Sequence, residues 1–155
     1  MTRQLSAKGR FVPRLEVLEE RRLLACKVVE AGGVLTITGD ARANVVQIQD
    51  DGTKLTVTCD GKSTDVSADV TKVVVNTRQG NDRVSYQLTG DLASGAARTL
   101  VVDLGNGNDR FDGTLGGNLA AGASLGVTVR GGNGKDIINF TGDAAGVAAG
   151  ASLAL

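Results

Sequence analysis

The chain has 155 residues, enough for one domain, and its 17 basic residues balance 17 acidic residues. It contains 22 glycines, one proline and no histidine, and aromatic residues make up only 3%. The missing histidine excludes Ser-His-Asp and Cys-His catalytic arrangements. The balanced charge argues against nucleic-acid binding, and no apolar run approaches the roughly 18 residues of a transmembrane segment.

Residues 1–26 differ from the rest, because they hold the single proline and a concentration of arginine. The stretch FVPRLEVLEERRLLA at residues 11–25 resembles the "PRLExLExRxLL" export-associated motif of planctomycete extracellular proteins. The resemblance implies a targeting segment and a secreted or cell-surface location. An ordinary short amphipathic helix is the alternative interpretation.

Residues 27–72 predict strands at 34–38, 45–49 and 55–58, with a hairpin link at 50–53. We interpret this region as an antiparallel β cap, in which Asn44 occupies the place of an aspartate in a degenerate turn. Cys26 and Cys59 are the only cysteines. They either pair in an oxidising compartment or remain two free thiols.

Residues 73–155 repeat with a period of 27 residues. Val75, Val102 and Val129 share one column of the repeat, and Val84, Phe111 and Ile138 share another. Each row has a short apolar run, a Gly/Asn turn ending in aspartate, and an alternating strand. The pattern predicts an all-β fold: a β-solenoid, parallel β-helix or β-roll-like, with about three 27-residue coils that follow the antiparallel cap.

The repeat predicts a column of like charges, because Asp82, Asp109 and Asp136 stand at equivalent turn positions. Stacked strands lie about 4.8 Å apart, where two carboxylates repel by about 3 kcal/mol at an effective dielectric of 20. A divalent cation between successive carboxylates would remove this repulsion. Calcium prefers such carboxylate and carbonyl oxygens.

The turn GGNGKDIIN at residues 131–139 resembles the GGxGxDxUx nonapeptide of RTX-like (hemolysin-type) calcium-binding repeat proteins. The resemblance implies Ca²⁺ held between turns, and the candidate metal site comprises Asp82, Asp109, Asp136, Gly80, Gly107, Gly134, Asn106 and Asn133. The chain departs from that family by having one nonapeptide per 27 residues instead of tandem copies. A metal-free turn, with aspartate bonded to its own turn amides, is therefore also open.

These observations favour a calcium-binding structural or adhesive module at the cell surface, not an enzyme. A metal-free interaction module and a fragment of a polysaccharide-acting β-helix enzyme are the alternatives. The C-terminal sequence AGASLAL repeats the earlier AGASLGV, in which the valine opens the next row. We therefore expect an open strand edge and self-association through the C-terminal coil at residues 127–155.

Overall fold

The structure is a computed structural model that describes residues 26–142, 146 and 148–155. Its regular elements in that part of the chain are strands that form two six-stranded sheets. The first sheet contains, in spatial order, β1 (Lys27–Ala31), β2 (Val34–Thr38), β6 (Lys72–Asn76), β8 (Ala97–Asp103), β10 (Ser124–Arg130) and β12 (Ser152–Ala154). The second contains β11 (Ile137–Gly142), β9 (Arg110–Leu115), β7 (Arg83–Leu88), β3 (Val45–Asp50), β4 (Leu55–Cys59) and β5 (Lys62–Val66).

Pairing between repeated segments is parallel and keeps the 27-residue register. Val75 pairs with Val102, which pairs with Val129. In the second sheet Val84 pairs with Phe111, which pairs with Ile138. Because strands of equal spacing are joined by connections of nearly equal length, each residue meets its counterpart one repeat later.

The non-repeating part of the chain enters the same two sheets with the opposite pairing. Strand β1 is antiparallel to β2 in the first sheet. Strands β3, β4 and β5 form antiparallel pairs in the second. Strands β2 and β3 then pair in parallel with β6 and β7, so the antiparallel region is continuous with the repeats.

The fold class predicted from the repeat is therefore wrong. The protein is a mixed parallel and antiparallel two-sheet fold and not a closed β-solenoid behind a separate cap. The periodicity misled because it describes only residues 73–155. Strands β1 to β5, which precede the repeats, are five of the twelve described strands and take part in five of the ten described strand pairs. Residues 1–25, which carry the predicted export motif, lie outside the described residues.

The core lies between the two sheets, because alternate residues of each strand point inward. Val75, Val102, Val84 and Phe111 are at most 1% exposed. Ile138, in the same column as Phe111, is 48% exposed because β11 is the last strand of its sheet. Among the described residues, the apolar layer is therefore less covered at β11 than at the inner strands.

A buried ion pair crosses the core between the two sheets. Arg98 of β8 donates from Nε to Asp50 of β3 at 2.7 Å, and their side chains are 6% and 0% exposed. Tyr86 donates its hydroxyl to the same carboxylate at 2.9 Å, and burial raises the pKa of this tyrosine well above its usual range. The amide of Gly52 donates to the other carboxylate oxygen at 2.9 Å.

Candidate functional site

The turns that precede the three aspartates are stacked in direct backbone contact. Gly107 and Gly134 have φ of 145° and 135°, a region that side-chain-bearing residues rarely adopt. A Cβ at Gly107 would clash with the carbonyl oxygen of Gly80, and one at Gly134 would clash with that of Gly107. The three glycines predicted for the site therefore serve close packing of one turn on the next.

The asparagines of the predicted site form a separate ladder on the surface. Asn133 donates from Nδ2 to Oδ1 of Asn106 at 2.7 Å, and both residues are exposed. Their backbones also form an isolated parallel bridge. These side-chain amides hydrogen-bond to each other and so stabilise the packing of one turn on its neighbour.

The three aspartates are brought into one column, as the repeat predicted. Oδ1 of Asp109 accepts the backbone N–H of Asp82 at 2.7 Å. Oδ1 of Asp136 accepts that of Asp109 at 3.0 Å, and Oδ1 of Asp82 accepts that of Asn44 at 2.7 Å. Asn44 thus stands in the aspartate position of the preceding row. We call this chain of contacts, from Asn44 to Asp136, the aspartate ladder.

The second carboxylate oxygens of the ladder are its unusual feature. Asp82 and Asp109 are each 2% exposed, and Oδ2 of both is buried without a hydrogen-bond partner. Burial raises the pKa of both carboxyl groups, and the charge of the neighbouring aspartate adds to the increase. Either a proton or a nearby cation would lower the cost of burying these charges.

The ladder does not gather its carboxylates around one point. Within the described residues, a different group brings three potential metal-ligating atoms within 4.8 Å of one another: Cys26, Cys59 and Asp60. The two cysteines form a disulfide bond in the structure. This settles the alternative that the sequence left open, and it places Asp60 next to a cross-link between the two sheets.

Asp60 connects that cross-link to the ladder. Its Oδ1 accepts the backbone N–H of Val45 at 2.7 Å, and its Oδ2 accepts Nδ2 of Asn44 at 3.1 Å. The sequence alone does not single out Asp60, because Asp60-Gly61 is an ordinary turn signal. The tight turn between β4 and β5 requires the positive φ of Asp60, 46°.

Comparison with known protein families shows which family this chain belongs to. The family model for CoxG, a subunit of carbon monoxide dehydrogenase, matches residues 15–104, more than half of the chain. The chain belongs to the CoxG family. The matched part runs through β1 to β8, whereas Asp109 and Asp136 lie beyond it in this CoxG-family chain. No curated protein matches, and no solved structure matches.

This relationship corrects the assignment made from the sequence. The RTX-like resemblance of residues 131–139 is overturned by the CoxG match. The cell-surface calcium-binding structural or adhesive module that it implied is overturned with it. The nonapeptide misled because a Gly-Asn-Gly turn ending in aspartate is also what close stacking of turns requires, as Gly107 and Gly134 demonstrate.

Proposed function

We propose that this chain is a non-catalytic accessory subunit that binds an enzyme of the carbon monoxide dehydrogenase type. The match of residues 15–104 to the CoxG component of that enzyme is the observation that carries the proposal. The matched region contains the continuous antiparallel end of both sheets. The described part of the chain contains no helix long and apolar enough to cross a membrane, which agrees with the sequence.

The matched end of the molecule offers a surface for such a partner. Strands β1 and β5 are the outer strands of the two sheets at this end, and both are largely exposed. Val29 of β1 is 42% exposed. An outer strand presents unpaired backbone N–H and C=O groups to a partner, and an exposed valine adds apolar contact.

Co-expression with the carbon monoxide dehydrogenase subunits of the same organism tests this function. We expect the chain to co-elute with the enzyme in size-exclusion chromatography and Val29→Asp to weaken the complex. Ile137→Asp is the matched control, because Ile137 is 50% exposed at the opposite end. Failure of the unmodified chain to bind the enzyme would reject the proposed function. Equal weakening of the complex by Val29→Asp and Ile137→Asp would reject the proposed surface.

Calcium is a second proposal, and it concerns the aspartate ladder alone. The two buried, unpartnered Oδ2 atoms of Asp82 and Asp109 favour a bound cation. Isothermal titration of the full chain with CaCl₂ tests this proposal, and Asp109→Asn should remove the heat of binding. Absence of binding at millimolar calcium would contradict the proposal.

Two further expectations from the sequence are also proposals. Secretion or surface attachment is supported by the motif at residues 11–25 and agrees with a disulfide, which persists in oxidising compartments. Self-association through residues 127–155 is supported by the exposed Ile137 and Ile138. Cell fractionation tests the first. Sedimentation of the chain with and without Ser152→Lys and Ala154→Lys tests the second.

A further inference from the structure

The end of the molecule that contains the disulfide also contains a set of metal-ligating atoms. Cys26 directly precedes β1 of the first sheet, and Cys59 is the last residue of β4 in the second. Their sulfurs and a carboxylate oxygen of Asp60 all lie within 4.8 Å of one another. We propose that reduction of the disulfide converts these three residues into a site for a thiophilic divalent cation of the Zn²⁺ class.

Strand pairing holds the three ligands in place independently of the disulfide. Cys59 pairs with Val46 on one side and with Lys62 on the other. Cys26 is tethered by β1, whose first residue, Lys27, pairs with Thr38. Reduction of the sulfurs removes none of these backbone contacts, so the thiols remain close together.

The hydrogen bonds of Asp60 fix its carboxylate beside the sulfurs. Val45 N–H and Asn44 Nδ2 each donate to one of its oxygens. A carboxylate oxygen has two lone pairs, so each oxygen keeps one for a metal. Such donor contacts orient a metal-binding carboxylate and limit its movement.

The ligand set has the chemistry that Zn²⁺ requires. Zn²⁺ binds thiolates at about 2.3 Å and carboxylates at about 2.0–2.2 Å in a tetrahedron, which places two bound sulfurs about 3.8 Å apart. The Cα atoms of the cysteines are 6.0 Å apart, which accommodates that sulfur separation by side-chain rotation. Hard cations such as Ca²⁺ select oxygen ligands and would be disfavoured here.

A pocket next to the sulfurs leaves room for a fourth ligand. It has a volume of about 140 Å³ and is lined by both cysteines and by Lys27, Val28, Lys62 and Thr64. Two thiolates and one carboxylate carry three negative charges around a dication. The two lysines contribute positive charge that offsets the remaining negative charge, and water or a partner's side chain completes the tetrahedron.

The conversion is balanced by an external dithiol. The dithiol is oxidised to a disulfide and gives two electrons and two protons to the Cys26–Cys59 bond, which becomes two thiols. Metal binding then releases both thiol protons to solvent as the thiolates form. The site therefore exists only in the reduced chain and competes with reoxidation of the sulfurs.

Cobalt titration of the full chain tests the site, because thiolate-bound Co²⁺ has a near-ultraviolet charge-transfer band that carboxylates do not produce. We expect the band to appear with one equivalent of Co²⁺ after reduction, to be absent in the oxidised chain, and to disappear on addition of Zn²⁺. Absence of the band in the reduced chain would overturn the proposal. The readout is independent of any binding at the aspartate ladder.

Variants identify the ligands. Cys59→Ser and Cys26→Ser should each abolish the band, and circular dichroism establishes that each variant is folded. Cys26 is half-buried outside the strands, so its variant keeps the test valid if Cys59→Ser fails to fold. Asp60→Asn should weaken Co²⁺ at least about tenfold while keeping the band. Asp65→Asn, on an exposed carboxylate of the adjacent strand, is the control; equal affinity in the two Asp variants would remove Asp60 from the site.

Discussion

Replacing Arg98 by methionine tests the energetic role of the buried ion pair. Methionine keeps much of the apolar volume but leaves the carboxylate of Asp50 buried without its cation. Both side chains are almost completely excluded from solvent, so water cannot replace the lost partner. Removal of one member of such a pair costs about 3–5 kcal/mol, a large part of the roughly 5–15 kcal/mol that stabilises a typical domain.

Equilibrium unfolding in urea, with the disulfide intact, measures this loss. The triple variant Arg98→Met, Asp50→Leu, Tyr86→Phe removes the charges and the buried hydroxyl together. Among the described residues, only the amide of Gly52 then loses its acceptor. We therefore expect it to recover at least half of the lost stability. Lys54→Met is the control, because its ion pair is exposed and contributes at most about 1 kcal/mol. A loss below about 1 kcal/mol for Arg98→Met, or a triple variant less stable than the single one, would refute the reasoning.

Three further predictions concern the ladder, the disulfide and the turns. Burial raises the folded-state pKa of Asp82 and Asp109 above the ordinary 3.8. Their contribution to the free energy of unfolding is therefore complete below the ordinary pKa, and it is lost as the pH rises through the folded-state pKa. In the presence of chelator, the urea concentration at the unfolding midpoint should therefore decrease as the pH is raised from about 4 towards neutrality. The decrease should be smaller in the double variant Asp82→Asn, Asp109→Asn; an equal decrease would show that these two carboxyl groups do not cause it. Reducing the disulfide, whose cysteines are 33 residues apart, should lower the free energy of unfolding by about 3.7 kcal/mol, and a loss under 1 kcal/mol would argue against the cross-link. Gly107→Ala should lower thermal stability strongly, by about 1–3 kcal/mol or more, whereas Gly126→Ala, with open space at its Cβ, should not; equal melting temperatures would show that the turns are not in tight contact.

The periodicity of the sequence predicted the local register but not the fold class. Columns such as Val75 with Val102 follow from the repeat, because parallel pairing of equal segments places equivalent residues side by side. The antiparallel strands β1, β4 and β5 belong to no repeat. The turn residues at 50–53 did indicate the hairpin of β3 with β4, whereas no local pattern indicated the pairing of β1 and β5.

The candidate site was partly predictable for similar reasons. The aspartate column and the place of Asn44 in it follow from the sequence pattern, whereas the burial of Asp82 depends on packing against that preceding row. Asp50 and Arg98 were not recognised as partners, because Asp50 was assigned to the hairpin link at residues 50–53. Their alternation with buried residues in β3 and β8 was the available signal, since both occupy inward positions.

The aspartate ladder has a direction, because each carboxylate accepts an amide of the row before it. The backbone N–H of Asn44 is thus bound by the carboxylate of Asp82, and that of Asp109 by the carboxylate of the half-buried Asp136. Opening from the Asp136 side would free one amide at a time. At the other side, the antiparallel strands of the two sheets are cross-linked by the disulfide and would have to separate first. Amide protons of the ladder should therefore exchange with solvent in a graded order, fastest at Asp109 and slowest at Asn44. Such an order would show that local unfolding of the ladder begins on the Asp136 side and proceeds towards Asn44.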